Sequence, residues 1–212
     1  MAEPRLNYVQ CLSSSGLRRM AYWEWAYTGS EAQAPVLVCV HGLSRQGRDF
    51  DRLAQALAGQ YRVICPDVMG RGRSDWLLNP AGYQIPAYVA DMVTLLTRLD
   101  TALVDWVGTS MGGLIGMGLA ALPDSPVRRL VLNDVGPAIR YEALQRIGSY
   151  LGQTMQFDSV EQGAAYLLSI SQGFGPHSAE QWAALSEPMF KPAGEGRVQL
   201  HYDPRIAQPF GA

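Results

Sequence analysis

The amino-acid sequence predicts an α/β fold, with a mostly parallel sheet wound between flanking helices and followed by a helical cap. Two observations predict it. Short apolar runs alternate with amphipathic segments through the first 135 residues. The runs are rich in β-branched residues and lack polar alternation, which is typical of strands covered on both faces. Strands that alternate with helices in this way form parallel sheets with right-handed crossovers.

The core is expected to span residues 1–137 and to contain six strands. The first two, at residues 6–11 and 18–25, alternate more in polarity and are expected to pair as an antiparallel hairpin at one edge of the sheet. The other four strands are predicted at residues 36–40, 61–65, 103–107 and 127–132. The amphipathic segments between them are predicted helices, at residues 49–59, 86–99 and 111–122.

Residues 138–196 are predicted to form a helical cap or lid, because Leu144, Ile147 and Leu151 recur at helical spacing. The Pro-rich segment 197–212 is expected to be a linker that returns to a further, C-terminal part of the core. The cap is rich in aromatic residues and methionine. Either these side chains line an acyl pocket above the core, or they form the cap's own small core and its contact with the sheet.

Composition excludes several classes of protein. The chain has 212 residues, 48% of them hydrophobic, and a net charge of −2, so it can build one folded core but lacks the basic surface that nucleic-acid binding requires. Its longest uncharged apolar run, residues 112–123, is too short to span a membrane. The three cysteines have no metal-ligand spacing and are expected to be reduced, which indicates a cytoplasmic protein.

One motif carries the chemistry. The sequence Gly108-Thr109-Ser110-Met111-Gly112 directly follows a predicted strand and precedes a predicted helix, which is the setting of a nucleophile elbow. A serine on such a tight turn is held in a strained conformation and is crowded by the residues two before and two after it, so both must be glycine. The turn also points the helix N-terminus, with its unpaired amides, at the serine hydroxyl.

Two further motifs lie at the carboxyl ends of predicted strands, where ligands bind in open α/β sheets. They are His41-Gly42-Leu43 and the loop 67–74, which has the sequence Asp-x-x-Gly-x-Gly-x-Ser. Taken in order with the elbow and with Asn133-Asp134, they make the sequence resemble the α/β-hydrolase family of esterases, lipases and thioesterases.

The resemblance implies a role for each residue. Ser110 would be the nucleophile, and the backbone N–H groups of Leu43 and Met111 would form the oxyanion hole. His41 would shape its loop and would not act as the base, while Asp67 would accept hydrogen bonds from amides of its own glycine turn. A serine at the elbow implies that a small-molecule carboxylic ester, thioester or activated C–C bond is cleaved.

The remaining triad positions depart from the family pattern, in which an acid follows the seventh strand and a histidine follows the eighth. Neither strand is recognisable, so both residues are expected beyond Ala212, on about 60–80 further residues that would form two βα units. Within the chain, Asp134 is either a candidate acid or a polar residue at the end of its strand. His177 and His201 are either candidate bases or ordinary surface and cap histidines.

The favoured prediction is a cytoplasmic serine hydrolase that needs no cofactor. Two alternatives stay open: a non-catalytic binding or scaffold protein that keeps the elbow without a base, and a cofactor-free peroxidase-like or C–C hydrolase activity on the same fold. If no further strand pairs with residues 127–132, their apolar edge is a template for pairing with another chain. The sequence therefore also predicts self-association through that edge.

Overall fold

The computed structural model describes residues 3–31 and 34–210 of the chain. Its larger sheet consists of β1 (Arg5–Ser13), β2 (Gly16–Trp25), β3 (Val36–Val40), β4 (Arg62–Pro66), β5 (Val104–Thr109) and β6 (Val127–Asn133). The strand order is β1-β2-β4-β3-β5-β6. The pairs β1–β2 and β2–β4 are antiparallel, and the other three pairs are parallel. The prediction of a mostly parallel sheet with an antiparallel hairpin at one edge is confirmed.

Strand β3 shows why the apolar runs lack polar alternation. All five of its residues are buried. Val36, Val38 and Val40 pack into one hydrophobic cluster, whereas Leu37 and Cys39 pack into a second one. Because successive side chains of a strand point to opposite faces, the two clusters cover the two faces of the sheet.

Helices supply the other half of each cluster. Helix α1 (Asp51–Leu57) packs on the face that contains Leu37, whereas α2 (Ile85–Leu99) and α3 (Met111–Ala120) pack on the opposite face. The three predicted helices are confirmed, with ends that differ from the prediction by no more than two residues. A short 3-10 turn at Gly47–Phe50 takes the place of the first predicted residues of α1.

The segment after residue 137 is not purely helical, in contrast to the prediction. It contains the helices α4 (Tyr141–Tyr150), α5 (Val160–Ile170) and α6 (Ala179–Ser186). A second sheet accompanies them, formed by the strands β7 (Gln156–Phe157), β8 (Phe190–Gly194) and β9 (Arg197–Leu200). Strand β9 lies at its centre, where the sequence predicted the start of a linker. No helix in the described part of the chain is long and apolar enough to cross a membrane.

These strands escape prediction because each is short and none is an apolar run. Strands β8 and β9 are joined through Gly194, Glu195 and Gly196, whose φ angles are 85°, 51° and 75°. Such positive angles close a tight hairpin turn. Backbone pairing along this hairpin and with β7 defines the strands, and backbone pairing by itself leaves no hydrophobic period in the sequence.

Several aromatic residues of this segment belong to a small core that is separate from the larger sheet. It comprises Ala164, Leu167, Trp182 and Met189, with Tyr166 and Phe190 packed against them. The Trp182 Nε1 also donates a hydrogen bond of 2.8 Å to the Ala164 carbonyl, which joins α6 to α5. Of the two interpretations of these side chains, the structure supports the separate core.

The chain then returns to the larger sheet and packs against the loop 67–74. The Asp203 N–H donates to the Gly70 carbonyl at 2.7 Å, and the Gly72 N–H donates to the His201 carbonyl at 2.9 Å. The buried Asp203 carboxylate accepts a hydrogen bond of 2.6 Å from the Tyr83 hydroxyl. Residues 201–203 are therefore anchored to the core and are not a free linker.

Among the described residues, strand β6 lies at one edge of the larger sheet. Its side chains are largely exposed, and two of them are large and apolar: Val131 is 55% exposed and Leu132 is 37% exposed. An exposed parallel strand with apolar side chains is unusual, because parallel sheets are normally covered on both faces.

Candidate active site

Ser110 occupies the turn between β5 and α3 in a strained backbone conformation. Its φ and ψ angles are 49° and −113°, in a region that residues with a side chain rarely adopt. The turn is held on both sides. The Ser110 N–H donates to the Asn133 carbonyl at 2.9 Å, and the Ser110 carbonyl accepts from the amides of Gly113 and Leu114 at 2.9 and 3.1 Å.

The two glycines of the motif are required because backbone segments meet at the turn. A Cβ atom at Gly108 would collide with the Gly112 carbonyl, and one at Gly112 would collide with the Val40 carbonyl. The Gly112 carbonyl also accepts a hydrogen bond of 3.0 Å from the Trp106 Nε1. The start of α3 is thus pressed against the ends of β3 and β5, which fixes the direction of the serine side chain.

Ser110 opens into a cavity of about 570 Å³. Leu43, Met111 and Asp134 line the same cavity, so the structure brings together the four residues that the sequence singled out for catalysis. Most of the other lining side chains are apolar and come from the start of α2, from α3, from α4 and from the segment just before α4: Ile85, Pro86, Leu114, Ile139, Ala143, Leu144 and Ile147. The cavity suits an apolar substrate with a few polar groups.

His41 is buried behind the cavity and does not line it. Its Nε2 accepts a hydrogen bond of 3.0 Å from the Val68 N–H, and its Nδ1 lies 2.7 Å from the Gly42 carbonyl. This pair of contacts requires a neutral ring with its hydrogen on Nδ1. Burial, together with the nearby Arg71 and Arg45 cations, lowers the pKa of His41 to about 3. His41 joins two loops, which fits the loop-shaping role that the family resemblance implied.

Asp67 is also buried, and backbone amides surround its carboxylate. One oxygen accepts from the Gly47 N–H and the other from the Arg73 N–H, both at 2.8 Å. Only Arg73 belongs to the glycine turn that the sequence associated with Asp67. Burial raises the pKa of this carboxyl to about 6, although the hydrogen bonds act in the opposite direction. Asp67 therefore organises the loops and is not directed into the cavity.

No histidine lines the cavity among the described residues. His177 is exposed, with its Nδ1 3.0 Å from the Gly175 carbonyl and its ring edge-on to Trp182. His201 is held by backbone pairing with the loop 67–74, and burial lowers the pKa of its side chain to about 4. The structure thus brings neither candidate base to Ser110.

Arg71 is a residue of the site that sequence reasoning missed. It is fully buried, yet no carboxylate in the described chain forms an ion pair with it. Its Nε donates to the Leu43 carbonyl at 2.8 Å, one Nη donates to the Tyr88 hydroxyl at 2.7 Å, and the other lies 3.5 Å from the Met111 Sδ. The available sequence signal for Arg71 is its position between Gly70 and Gly72, in a loop expected at the ligand-binding edge of the sheet.

The sequence matches the model of the alpha/beta hydrolase fold over residues 35–167. The chain therefore belongs to the α/β-hydrolase family, and it is a hydrolase by family, as predicted. A 3-hydroxybutyrate-oligomer hydrolase of Cupriavidus necator is 58% identical to it over 212 residues, which cover 99% of this chain and 71% of the relative.

Two solved structures have the same fold. An alpha/beta hydrolase from Novosphingobium aromaticivorans is 37% identical, with a TM-score of 0.86, and the match covers 100% of this chain and 73% of that one. A putative hydrolase from Rickettsia typhi is 29% identical, with a TM-score of 0.89, over 96% of this chain and 74% of that one.

Two glycine substitutions test the crowding at the elbow. Gly112→Ala is expected to lower the free energy of unfolding by about 3 kcal/mol, because the added methyl group collides with backbone that cannot move freely. Gly148→Ala is the matched control, since a Cβ there meets nothing within 4 Å and the residue lies in α4. It should raise the stability by about 0.5–1 kcal/mol. Urea denaturation measures both, and equal effects would contradict the crowding.

The buried His41 predicts a pH dependence of stability. The folded protein keeps its ring neutral down to about pH 3, whereas the unfolded chain binds a proton below about pH 6.5. Acid therefore favours the unfolded chain, and the stabilisation by His41 is present above pH 6.5 and lost as the pH falls. The stability difference between wild type and His41→Gln should shrink by about 1.4 kcal/mol per pH unit from 6.5 to 5.

Urea denaturation at several pH values measures this difference for His41→Gln and for the control His177→Gln, whose ring is exposed. A difference for His41→Gln that stays constant between pH 7 and pH 5 would show that His41 is not kept neutral by the fold.

Proposed function

We propose that the protein hydrolyses the ester bonds of short 3-hydroxybutyrate oligomers, with Ser110 as the nucleophile. The observation that carries this proposal is the strained Ser110 at the N-terminus of helix α3, which opens into a mostly apolar cavity. The choice of substrate follows the name of the relative that is 58% identical. A chain of 3-hydroxybutyrate units carries a methyl group on each unit, which suits apolar walls.

In this proposal the Ser110 Oγ attacks the ester carbonyl carbon, and a tetrahedral intermediate forms with negative charge on the former carbonyl oxygen. The N–H groups of Met111 and Leu43 would stabilise that charge. Met111 is the first residue of α3, so its amide has no partner within the helix and points with the positive end of the helix dipole. Collapse of the intermediate expels the alcohol end of the next unit, which takes up the proton that the general base removed from Ser110, and leaves an acyl group on Ser110. Water activated by the same base then cleaves this acyl group from Ser110, which releases the carboxylic acid and restores the serine.

Arg71 supports the placement of both amides. Its guanidinium holds the carbonyl of Leu43 and contacts the side chain of Met111, so one buried cation is tied to each of the two residues. Because Arg71 is fully buried, water screens its positive charge little, and the charge also favours an anion in front of it. Arg71 acts through these residues, and we therefore regard it as a positioning residue.

The proposal needs a general base, since a serine hydroxyl is a weak nucleophile by itself. In the family order a histidine and an acid follow the serine. We propose Asp134 as the acid that would orient such a histidine, because it lines the cavity beside Ser110 at the end of β6. The described residues that line the cavity supply no histidine, and the chain covers 71% of the relative's length.

The reaction with a fluorophosphonate tests Ser110. In the protein expressed from its complete reading frame, the intact mass should increase by one adduct, and Ser110→Ala should remove both the adduct and the hydrolysis of the 3-hydroxybutyrate dimer. Ser169→Ala is the control, because this serine is exposed on α5. Hydrolysis that survives Ser110→Ala would overturn the proposal, as would the absence of any adduct on the wild type.

The same reagent applied to the 212-residue chain distinguishes an enzyme from a binding protein. An adduct on this chain would mean that a base lies within it, and His201 would then be the first residue to replace. No adduct on the folded chain, together with an adduct on the product of the complete reading frame, would assign the base to residues outside it.

We also propose that the 212-residue chain self-associates through β6 and that the protein works in the cytoplasm. The cytoplasmic location rests on Cys11, Cys39 and Cys65, which are all buried and form no disulfide. The self-association rests on the exposed Val131 and Leu132 at the sheet edge.

Light scattering after size exclusion tests the self-association. The molar mass of the 212-residue chain should rise with concentration, and Val131→Lys should shift it towards the monomer, because a charge on an edge strand opposes pairing. Leu12→Lys is the control, since Leu12 is an exposed leucine on β1 at the opposite edge of the sheet. A monomer at every concentration would refute the edge as an association site.

A further inference from the structure

Helix α4 and the residue just before it form one wall of the active-site cavity and bring two arginines to it. Ala143, Leu144 and Ile147 recur at helical spacing on the face that lines the cavity. Arg140 immediately precedes the helix, three residues before Ala143, and extends the same face. Arg146 lies one residue before Ile147 and also lines the cavity.

The two guanidinium groups have no anionic partner in the described chain. Eight ion pairs occur there, and neither Arg140 nor Arg146 takes part in any of them. Both side chains are exposed. The cavity contains one acidic residue, Asp134, which forms no ion pair with either arginine, so the charged lining is positive in balance.

We propose that Arg140 and Arg146 bind the terminal carboxylate of the substrate. This inference rests on the proposed function and deepens it: the ligand class is a hydroxyacid oligomer with a free carboxyl end, not any apolar ester. A linear oligomer of this kind carries a hydroxyl at one end and a carboxylate at the other. The guanidinium group suits a carboxylate because its N–H groups can donate two parallel hydrogen bonds.

Different parts of the cavity would bind the apolar chain of such a substrate and its charged end. The apolar side chains of α3 and α4 contact the methyl-bearing chain, and Ser110 at one side of the cavity meets an ester carbonyl. The arginine stems add apolar surface to the wall, while their charged ends remain available to the anion. Because only one end of the oligomer is charged, the pair would fix the direction in which the chain lies across Ser110.

Equilibrium binding tests this without relying on catalysis. The protein is expressed from its complete reading frame with Ser110→Ala, which prevents turnover. Calorimetry then measures its affinity for the 3-hydroxybutyrate dimer with a free carboxylate and for the methyl ester of that dimer. We expect the acid to bind about tenfold more tightly at low ionic strength, and the preference to shrink as salt is added, as for any contact between accessible charges.

Substitution of the arginines should remove this preference. Arg140→Gln combined with Arg146→Gln is expected to weaken binding of the acid about tenfold and to leave binding of the methyl ester unchanged. Arg52→Gln is the matched control, because Arg52 is exposed on α1, on the opposite face of the sheet. Circular dichroism checks that the variants fold, which we expect since both arginines are exposed.

Equal affinity of the acid and the methyl ester would overturn the carboxylate site, as would a double variant that keeps the preference or a parent that binds neither compound. Failure of the proposed function has a different signature, namely binding of the acid that depends on the arginines without Ser110-dependent hydrolysis of it. If the acid and the methyl ester are hydrolysed at the same rate, and Ser110→Ala abolishes both reactions, the proposed function would stand and the arginines would have no role in it.

Discussion

The close contact between the first turn of α3 and the ends of β3 and β5 is the constraint on which the site depends. At Gly112 the helix backbone lies against the Val40 carbonyl, and at Gly108 the strand lies against the helix. No side chain fits between these segments, so the turn at Ser110 has little freedom and the serine keeps a strained conformation. The strain is sustained by the packing of α3, whose Ile115 and Leu119 are fully buried in the core.

A buried polar network supports this contact from behind. His41, Asp67 and Arg71 come from two neighbouring loops, and each would be costly to bury without hydrogen-bond partners. Their partners are mainly backbone groups of other loops, including Gly47, Val68 and the Leu43 carbonyl. Satisfying these groups therefore locks the loops that surround the cavity in one arrangement. The pKa of His41 is lowered and that of Asp67 is raised because burial disfavours the charged form of each.

The cavity combines walls from the sheet side and from the segment after residue 137. Leu43, Ser110 and Met111 belong to the first, whereas α4 and the residues just before it form the second, which includes both unpaired arginines. In our proposals, selection of substrate and attack on it thus fall to different parts of the chain. This division suits a fold in which one catalytic turn serves many substrates, since the wall can change without disturbing the elbow.

The sequence by itself determined the sheet, the three core helices and the elbow, because these depend on local period and on short motifs. Buried strands such as β3 are continuous apolar runs, and the glycines at 108 and 112 mark the crowded turn. Only the tertiary structure decided the second sheet, the burial of Arg71 and the wall formed by α4. Strands β8 and β9 are defined by pairing, and Arg71 by contacts with Leu43 and Tyr88, which are 28 and 17 residues away along the chain. Such contacts have no period in the sequence, so no pattern of residues could predict them.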